Sequence, residues 1–179
     1  MEKCRMVFSG SGGQGVITTA IVLAEAAVLY ENLNAVQSQV YGPEARGGAT
    51  RSDVILSEEE IDYPKVIQPN VLICLTQQAY NTYSPIIRPG GLLISDSHYV
   101  QLLRKVDAQQ KEYPMYQTVM ENIGRPIVLN FCMLGVVIAQ VGMVKPESIL
   151  KVLKTRLPEH SFSLNQKAMK LGLELGSDR

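Results

Sequence analysis

Short apolar runs bounded by glycine, proline and polar clusters alternate along this chain with apolar-rich stretches of helical length. Arg5 to Ser9 (R-M-V-F-S) predicts a short buried strand, followed by Gly10-Ser11-Gly12-Gly13-Gln14-Gly15. Val16 to Tyr30, with Glu25 its only charge, is too long for one strand and predicts a helix. Leu33 to Gln39 and Ala49 to Ser57 predict two further strands, separated by a loop rich in breakers. Val71 to Thr76 (V-L-I-C-L-T) is continuously apolar, as a central parallel strand buried on both faces should be. A short helix over Gln77 to Tyr83, a turn at Arg88-Pro89-Gly90-Gly91 and a strand over Leu92 to Ser95 follow. Tyr99 to Gly124 shows no readable pattern. Ile127 to Leu129 is expected to be a strand with Asn130 as the next helix cap. Phe131 to Val144, Pro146 to Thr155 and Ser163 to Leu175 are expected to be the closing helices, the second with proline in its first turn. Strands alternating with helices argue for an α/β fold. The expected architecture is Rossmann-like: one mostly parallel sheet with helices on both faces, and residues 1–179 as a single domain.

Composition narrows the function. The chain has 179 residues, with 17 Lys+Arg against 17 Asp+Glu, and so no net charge. Nucleic-acid binding usually needs a basic face, and none is expected here. Hydrophobic residues make up 46 %, which excludes a disordered chain. Pro126 to Val144 carries no charge and approaches the roughly 18-residue length of a membrane span. Its asparagine, glutamine and two glycines favour a buried strand and helix instead. Cys4, Cys74 and Cys132 are scattered among apolar neighbours, which suits small buried side chains in a reducing compartment and not a zinc or iron–sulfur site. With no secretory signal visible, a cytoplasmic location is expected.

Gly10, Gly12 and Gly15 satisfy G-x-G-x-x-G directly between a strand and a helix. Glycine there lets backbone N–H groups approach a ligand, and the helix N-terminus favours a phosphate. The competing account is tight strand-to-helix packing alone. A dinucleotide site also wants an acid at the end of the second strand, where Gln37-Ser38-Gln39 stands, and Glu31 falls too early. A Walker-type loop fails as well, because Gln14-Gly15-Val16 replaces its Gly-Lys-Ser/Thr.

A second motif, Tyr41-Gly42-Pro43-Glu44-Ala45-Arg46-Gly47-Gly48, packs three glycines, a proline and two opposite charges into the loop after the second strand. Together with the first motif it resembles the gamma subunit of 2-oxoacid:ferredoxin oxidoreductases. Leu23-Ala24, the run Arg51 to Ser57, Pro89-Gly90-Gly91, and Asn130 with Leu134-Gly135 extend the likeness over nearly the whole chain.

The resemblance implies a subunit of a complex that oxidatively decarboxylates a 2-oxoacid with coenzyme A, giving acyl-CoA, CO2 and reduced ferredoxin. It implies thiamine diphosphate and iron–sulfur clusters on sister subunits, and a role for this chain as their non-catalytic partner. Gly10, Ser11, Gly12, Gly13, Gln14 and Gly15 become candidate backbone donors to coenzyme A phosphates. Tyr41, Gly42, Glu44, Arg46, Gly47, Gly48 and Arg51 become candidates for a sister-subunit interface or the frame of the cleft. Partners are then the sister subunits and, through the complex, ferredoxin, with no nucleic acid and no membrane; a homodimer is the form open to the isolated chain. The 2-oxoacid leans towards 2-oxoglutarate by general likeness, with no residue to carry the choice. Two other readings stand beside this one: a free-standing Rossmann-type nucleotide-binding oxidoreductase, and a structural module whose loop binds nothing.

Ser95-Asp96-Ser97-His98 has the composition of a catalytic triad, but adjacent residues do not line up as one, and a polar strand-end loop is expected. His160 is expected to be exposed between helices. Tyr80, Tyr83, Tyr113 and Tyr116 suit either an interface or half-buried packing.

Overall fold

The computed structural model describes residues 3–39, 49–103 and 105–177. Its strands are β1 (Cys4–Gly10), β2 (Asn34–Gln39), β3 (Thr50–Ser57), β4 (Val71–Cys74), β5 (Gly91–Asp96) and β6 (Ala108–Tyr113). They form one sheet in the order β2-β3-β1-β4-β5-β6. β1, β4, β5 and β6 pair in parallel, and β3 runs antiparallel to both its neighbours, β1 and β2. Five strands therefore share one direction and β3 alone is reversed, so the sheet is mostly parallel as expected.

Alternation along the central strands feeds two layers. Met6, Phe8, Val54, Leu56, Ile73 and Ile94 point into one, against α1 (Val16–Tyr30) and the later helices. Val7, Ile55, Leu72, Cys74 and Leu93 point into the other, against α2 (Gln77–Tyr83) and loop residues such as Val66 and Val100. Helices cover both faces, though unequally. α3 (Met115–Asn122), α4 (Leu129–Val141), α5 (Pro146–Arg156) and α6 (Glu159–Ser177) complete the fold.

The uncharged run before Lys145 is explained by α4, which is buried on every side between the sheet layer and α6. Close packing of the two helices depends on glycine: a Cβ at Gly172 would overlap the Cys132 carbonyl, and one at Gly135 the Met169 carbonyl. No helix among the described residues is long and apolar enough to cross a membrane.

The middle of the chain, silent in sequence, supplies β6 and α3. The expected strand at Ile127 to Leu129 does not form. Pro126–Val128 is instead a 3-10 turn that runs straight into α4. Proline at the first position of that turn, with its φ fixed near the helical value, starts a helix more readily than a strand. Val128 is consequently the N-cap of α4, and Asn130 sits inside its first turn. α6 also begins earlier than expected, at Glu159, directly after Pro158.

Candidate functional site

β1 delivers the chain to the glycine loop, and the loop closes on itself through Gln14. Ser11 N–H donates to Gln14 Oε1 (2.7 Å), Gln14 Nε2 donates to the Leu75 carbonyl (3.4 Å), and Gln14 N–H donates to the Ser11 carbonyl (3.2 Å). Gly10 permits this closure, because a Cβ there would stand 2.5 Å from Gln14 Oε1. Gly15 is the N-cap of α1, left-handed at φ 72°, and caps it with no side chain. Its carbonyl accepts from both Thr19 N–H (3.0 Å) and Thr19 Oγ1 (2.8 Å).

The donors left over are the feature that matters. Among the described residues, the N–H groups of Gly12, Gly13, Gly15, Val16, Ile17 and Thr18 find no acceptor. The first turn of α1 has no acidic residue to satisfy its positive end.

These groups open into a cleft of about 700 Å³, within the range usual for small-molecule sites. Ser11, Gly12, Gly13, Gly15 and the first turn of α1 form one wall. Arg125, just before the 3-10 turn, and Asn130 and Phe131, in the first turn of α4, face them, and His160 and Ser161 come from the first turn of α6. α4, like α1, lacks both a side-chain cap and an early acid. None of the described lining residues is acidic, while Arg125 and His160 are exposed at its margin. Ile17, Ile127, Phe131 and Leu164 add apolar wall. The arrangement suits an anionic ligand that also carries an apolar portion.

Four of the six loop residues expected to bind, Ser11, Gly12, Gly13 and Gly15, line the cleft; Gly10 and Gln14 build the loop's shape. Tyr41, Gly42, Glu44, Arg46, Gly47 and Gly48 lie outside the described residues. Arg51 is not in the cleft. Its guanidinium is 13 % exposed, forks onto Asp53 (2.7 and 2.9 Å), donates to the Val66 carbonyl (2.6 Å) and lies over the Tyr83 ring. Arg125, Asn130 and His160 were missed as cleft residues by the sequence reading. His160 is exposed, as expected, but exposed into the site.

The Ser95–His98 segment is a structural turn organised by Asp96, although the buried Ser95 Oγ has no partner among the described residues. Asp96 is fully buried and accepts from the N–H groups of His98 (2.9 Å) and Tyr116 (2.7 Å). Burial raises its carboxyl above the ordinary range, against the pull of those two bonds. The His98 ring stacks on Tyr116 at 4.2 Å, away from any nucleophile role. Burial likewise pushes the thiols of Cys74 and Cys132 up to about 12 and that of Cys4 up to about 11, far from thiolate chemistry. Among the described residues no three His, Cys, Asp or Glu side chains are grouped to hold a metal.

A glycine-loop cleft on a sheet with one reversed strand is the setting in which the comparisons with known proteins fall. A family model described as pyruvate ferredoxin/flavodoxin oxidoreductase matches residues 5–175. The chain belongs to this family. It is 41 % identical over 172 residues to the 2-oxoglutarate synthase subunit KorC of Methanocaldococcus jannaschii, covering 95 % of this chain and 92 % of KorC. It superposes with TM-score 0.87 and 40 % identity on the gamma subunit of a keto/oxoacid ferredoxin oxidoreductase from Geobacter sulfurreducens, covering 97 % and 98 % of the two chains. The fold also recurs, at TM-score 0.89 and 19 % identity, within a 2-oxoglutarate:ferredoxin oxidoreductase chain from Magnetococcus marinus, solved with 2-oxoglutarate, coenzyme A and succinyl-CoA bound. All of this chain then corresponds to 32 % of the longer one. The protein is thus a gamma subunit of a 2-oxoacid:ferredoxin oxidoreductase complex, as the two motifs implied, and the free-standing alternative finds no support.

Proposed function

We propose that the cleft at the glycine loop holds the phosphates of coenzyme A for the oxidation of a 2-oxoacid, with 2-oxoglutarate the favoured substrate. The observation that carries the reading is the row of unbonded N–H groups at the start of α1, opening into a cleft whose described lining holds no acid, beside Arg125 and His160. A diphosphate supplies the acceptors those donors lack. The Ile17, Phe131 and Leu164 surfaces offer contact to the ligand's less polar portions. The likeness to KorC favours 2-oxoglutarate. The coenzyme A bound in the Magnetococcus enzyme agrees with the ligand.

In this reading residues 1–179 act as one gamma-type domain that presents coenzyme A. Thiamine diphosphate and iron–sulfur clusters reside on sister subunits, which carry out the decarboxylation and pass electrons to ferredoxin. The complex works in the cytoplasm, and the isolated chain is free to form a homodimer.

Calorimetric titration of the full chain with coenzyme A tests this, with Gly12→Val as the control. Gly12 has an ordinary φ, and nothing lies within 4 Å of a Cβ placed there, so the variant is expected to fold. Its isopropyl group would bar the phosphate from the loop, weakening binding by at least about tenfold. Equal binding by both proteins removes the glycine loop from the account.

A further inference from the structure

The amino ends of the parallel strands carry a second opening, at the edge of the sheet opposite the glycine loop. It is an open trough of about 750 Å³. Three cationic side chains reach it from three separate segments: Arg5 from the start of β1, Lys65 from the connection before β4, and Arg88 from the turn before β5. None of the described lining residues is acidic. Asp62, the acid nearest in sequence, is turned to Lys3 (3.6 Å). The Arg5 guanidinium and the Lys65 ammonium make no hydrogen bond or ion pair with any described residue. Seven residues of β1 separate this trough from the glycine loop by about 20 Å.

The connection that supplies one wall is built to hold its shape. Residues 58–70 join β3 to β4 with no helix or strand of their own, and connections near that length in a compact domain are usually functional. This one is pinned along its length. Lys3 Nζ donates to the Glu60 carbonyl (2.7 Å), Arg51 to the Val66 carbonyl (2.6 Å) and Arg88 N–H to the Pro69 carbonyl (3.0 Å). Val66 is buried in the second layer. At its end, Asn70 ties the starts of β1 and β5 to β4: its Oδ1 accepts from Arg5 N–H (2.9 Å) and its carbonyl from Leu92 N–H (2.8 Å). Yet Tyr63 is 57 % and Ile67 69 % exposed, and both line the trough beside Lys65. A loop anchored at so many points cannot fold these two away, so their apolar surface stays presented to whatever the trough receives.

Charge and apolar surface together select the occupant. Nucleic acid is gripped through many phosphates, and three cations on a chain of no net charge offer few contacts. A small anion gains little from the exposed heads of Lys65 and Arg88, and would leave Tyr63 and Ile67 in water. A protein surface covers both, and tyrosine and arginine are the residue types that anchor protein interfaces. We infer that the trough docks an acidic partner protein, which lays an apolar side chain against Tyr63 and Ile67 and sets carboxylates facing Arg5 and Lys65. The coenzyme A cleft lies at the far end of the sheet, so partner and ligand bind without competing.

The test uses the full chain, tagged and isolated from the cells that make it together with the proteins bound to it. A carbodiimide then joins amines to the carboxylates that touch them, and mass spectrometry reads the products. Lys65 is expected to be linked to an Asp or Glu of a different polypeptide. The yield of that link should fall at least about fivefold in Ile67→Ser and in Tyr63→Ser, and by a similar factor when high salt is added before the reagent. Both replaced side chains are exposed, so the variants should melt within about 2 °C of the parent. Their affinity for coenzyme A should stay within about twofold of it. A Lys65 that is unlinked, or linked only within its own chain, overturns the inference. A link to a second copy of this chain overturns it in favour of self-association. Equal yields in both variants, or at high salt, overturn it as well. A poly-dT oligonucleotide that binds the parent and not Lys65→Gln would assign the trough to nucleic acid and overturn the acidic protein.

Discussion

β1 and β5 are parallel, so they deliver their carboxyl ends to the same edge of the sheet, and the chain finishes the two ends in opposite ways. After β5, Asp96 turns both carboxylate oxygens onto backbone donors, one from His98 and one from Tyr116 in the first turn of α3. That carboxylate serves as a cap for α3, lent by a neighbouring strand. After β1, the first turn of α1 receives no such help and its donors stay open. A polar strand end whose backbone donors are closed by a side chain is architecture, and one whose backbone donors stay open is a site. The accounting of donors and acceptors separates the two where composition points the wrong way. Asp-Ser-His looks more like chemistry than Gly-Gly-Gln-Gly does, and it is the inert end.

The largest expected effect follows from breaking the closed end. Asp96→Ala leaves two N–H groups without acceptors in a buried turn and removes the cap of α3. Denaturant unfolding should show a loss of about 2–3 kcal/mol. Coenzyme A titrated into the folded variant should bind as it does to the parent, because Asp96 is not a cleft residue. A stability change under about 0.5 kcal/mol would mean the turn is held by something else.

At the open end the pattern should invert. Arg125 is exposed and forms no hydrogen bond or ion pair with any described residue, so Arg125→Ala should leave stability within about 0.5 kcal/mol. Affinity for coenzyme A should fall by roughly threefold to tenfold at low salt, and by less as salt screens the charge. Isothermal titration at two ionic strengths reads both quantities. An unchanged affinity at low salt would take Arg125 out of the site.

The same contrast explains what could be read from the chain. The glycine loop was legible because a strand, its turn and the next helix are neighbours in sequence. α1 and α2 have their expected boundaries: Gly15 opens the apolar run of α1, and Ser84-Pro85 follows the last residue of α2. β6 was invisible: A-Q-Q-K-E-Y is a polar edge strand held by its backbone ladder to β5, which leaves no apolar pattern. Ile127 to Leu129 misled because a short apolar run looks alike at the start of a buried helix and in a strand. The far wall of the cleft, Arg125, Asn130 and His160, reaches the loop only through the packing of α4 and α6. Their partner is remote in sequence, so no local spacing announces them. Arg51 stands outside the described cleft lining for the opposite reason. It sits beside a glycine-rich motif, yet Asp53, two residues on, takes its charge.

The smallest expected effect concerns acid, and it sharpens what closure at β5 means. Burial raises the Asp96 carboxyl above its ordinary 3.8, so the folded chain holds that proton more tightly than the unfolded chain does. Stability from this group must then fall as pH rises from about the ordinary value through the raised one, and level off above it. Glu31 works in the other direction. The Ser148 hydroxyl, and then the Lys145 N–H, hold its carboxyl below 4.5, so its contribution is present above that value and is lost as pH falls through the lowered one. Wild-type melts therefore mix two opposed slopes, and variants separate them. The stability margin of wild type over Asp96→Asn should narrow as pH rises from acid towards neutrality, since only the aspartate acquires a buried charge. The margin over Glu31→Gln should widen over the acidic part of the same range. A margin over Asp96→Asn that widens with pH would show the two backbone bonds outweighing burial. The closed end would then be a site built to hold a charge, and the distinction between the two ends of the sheet would rest on capping alone.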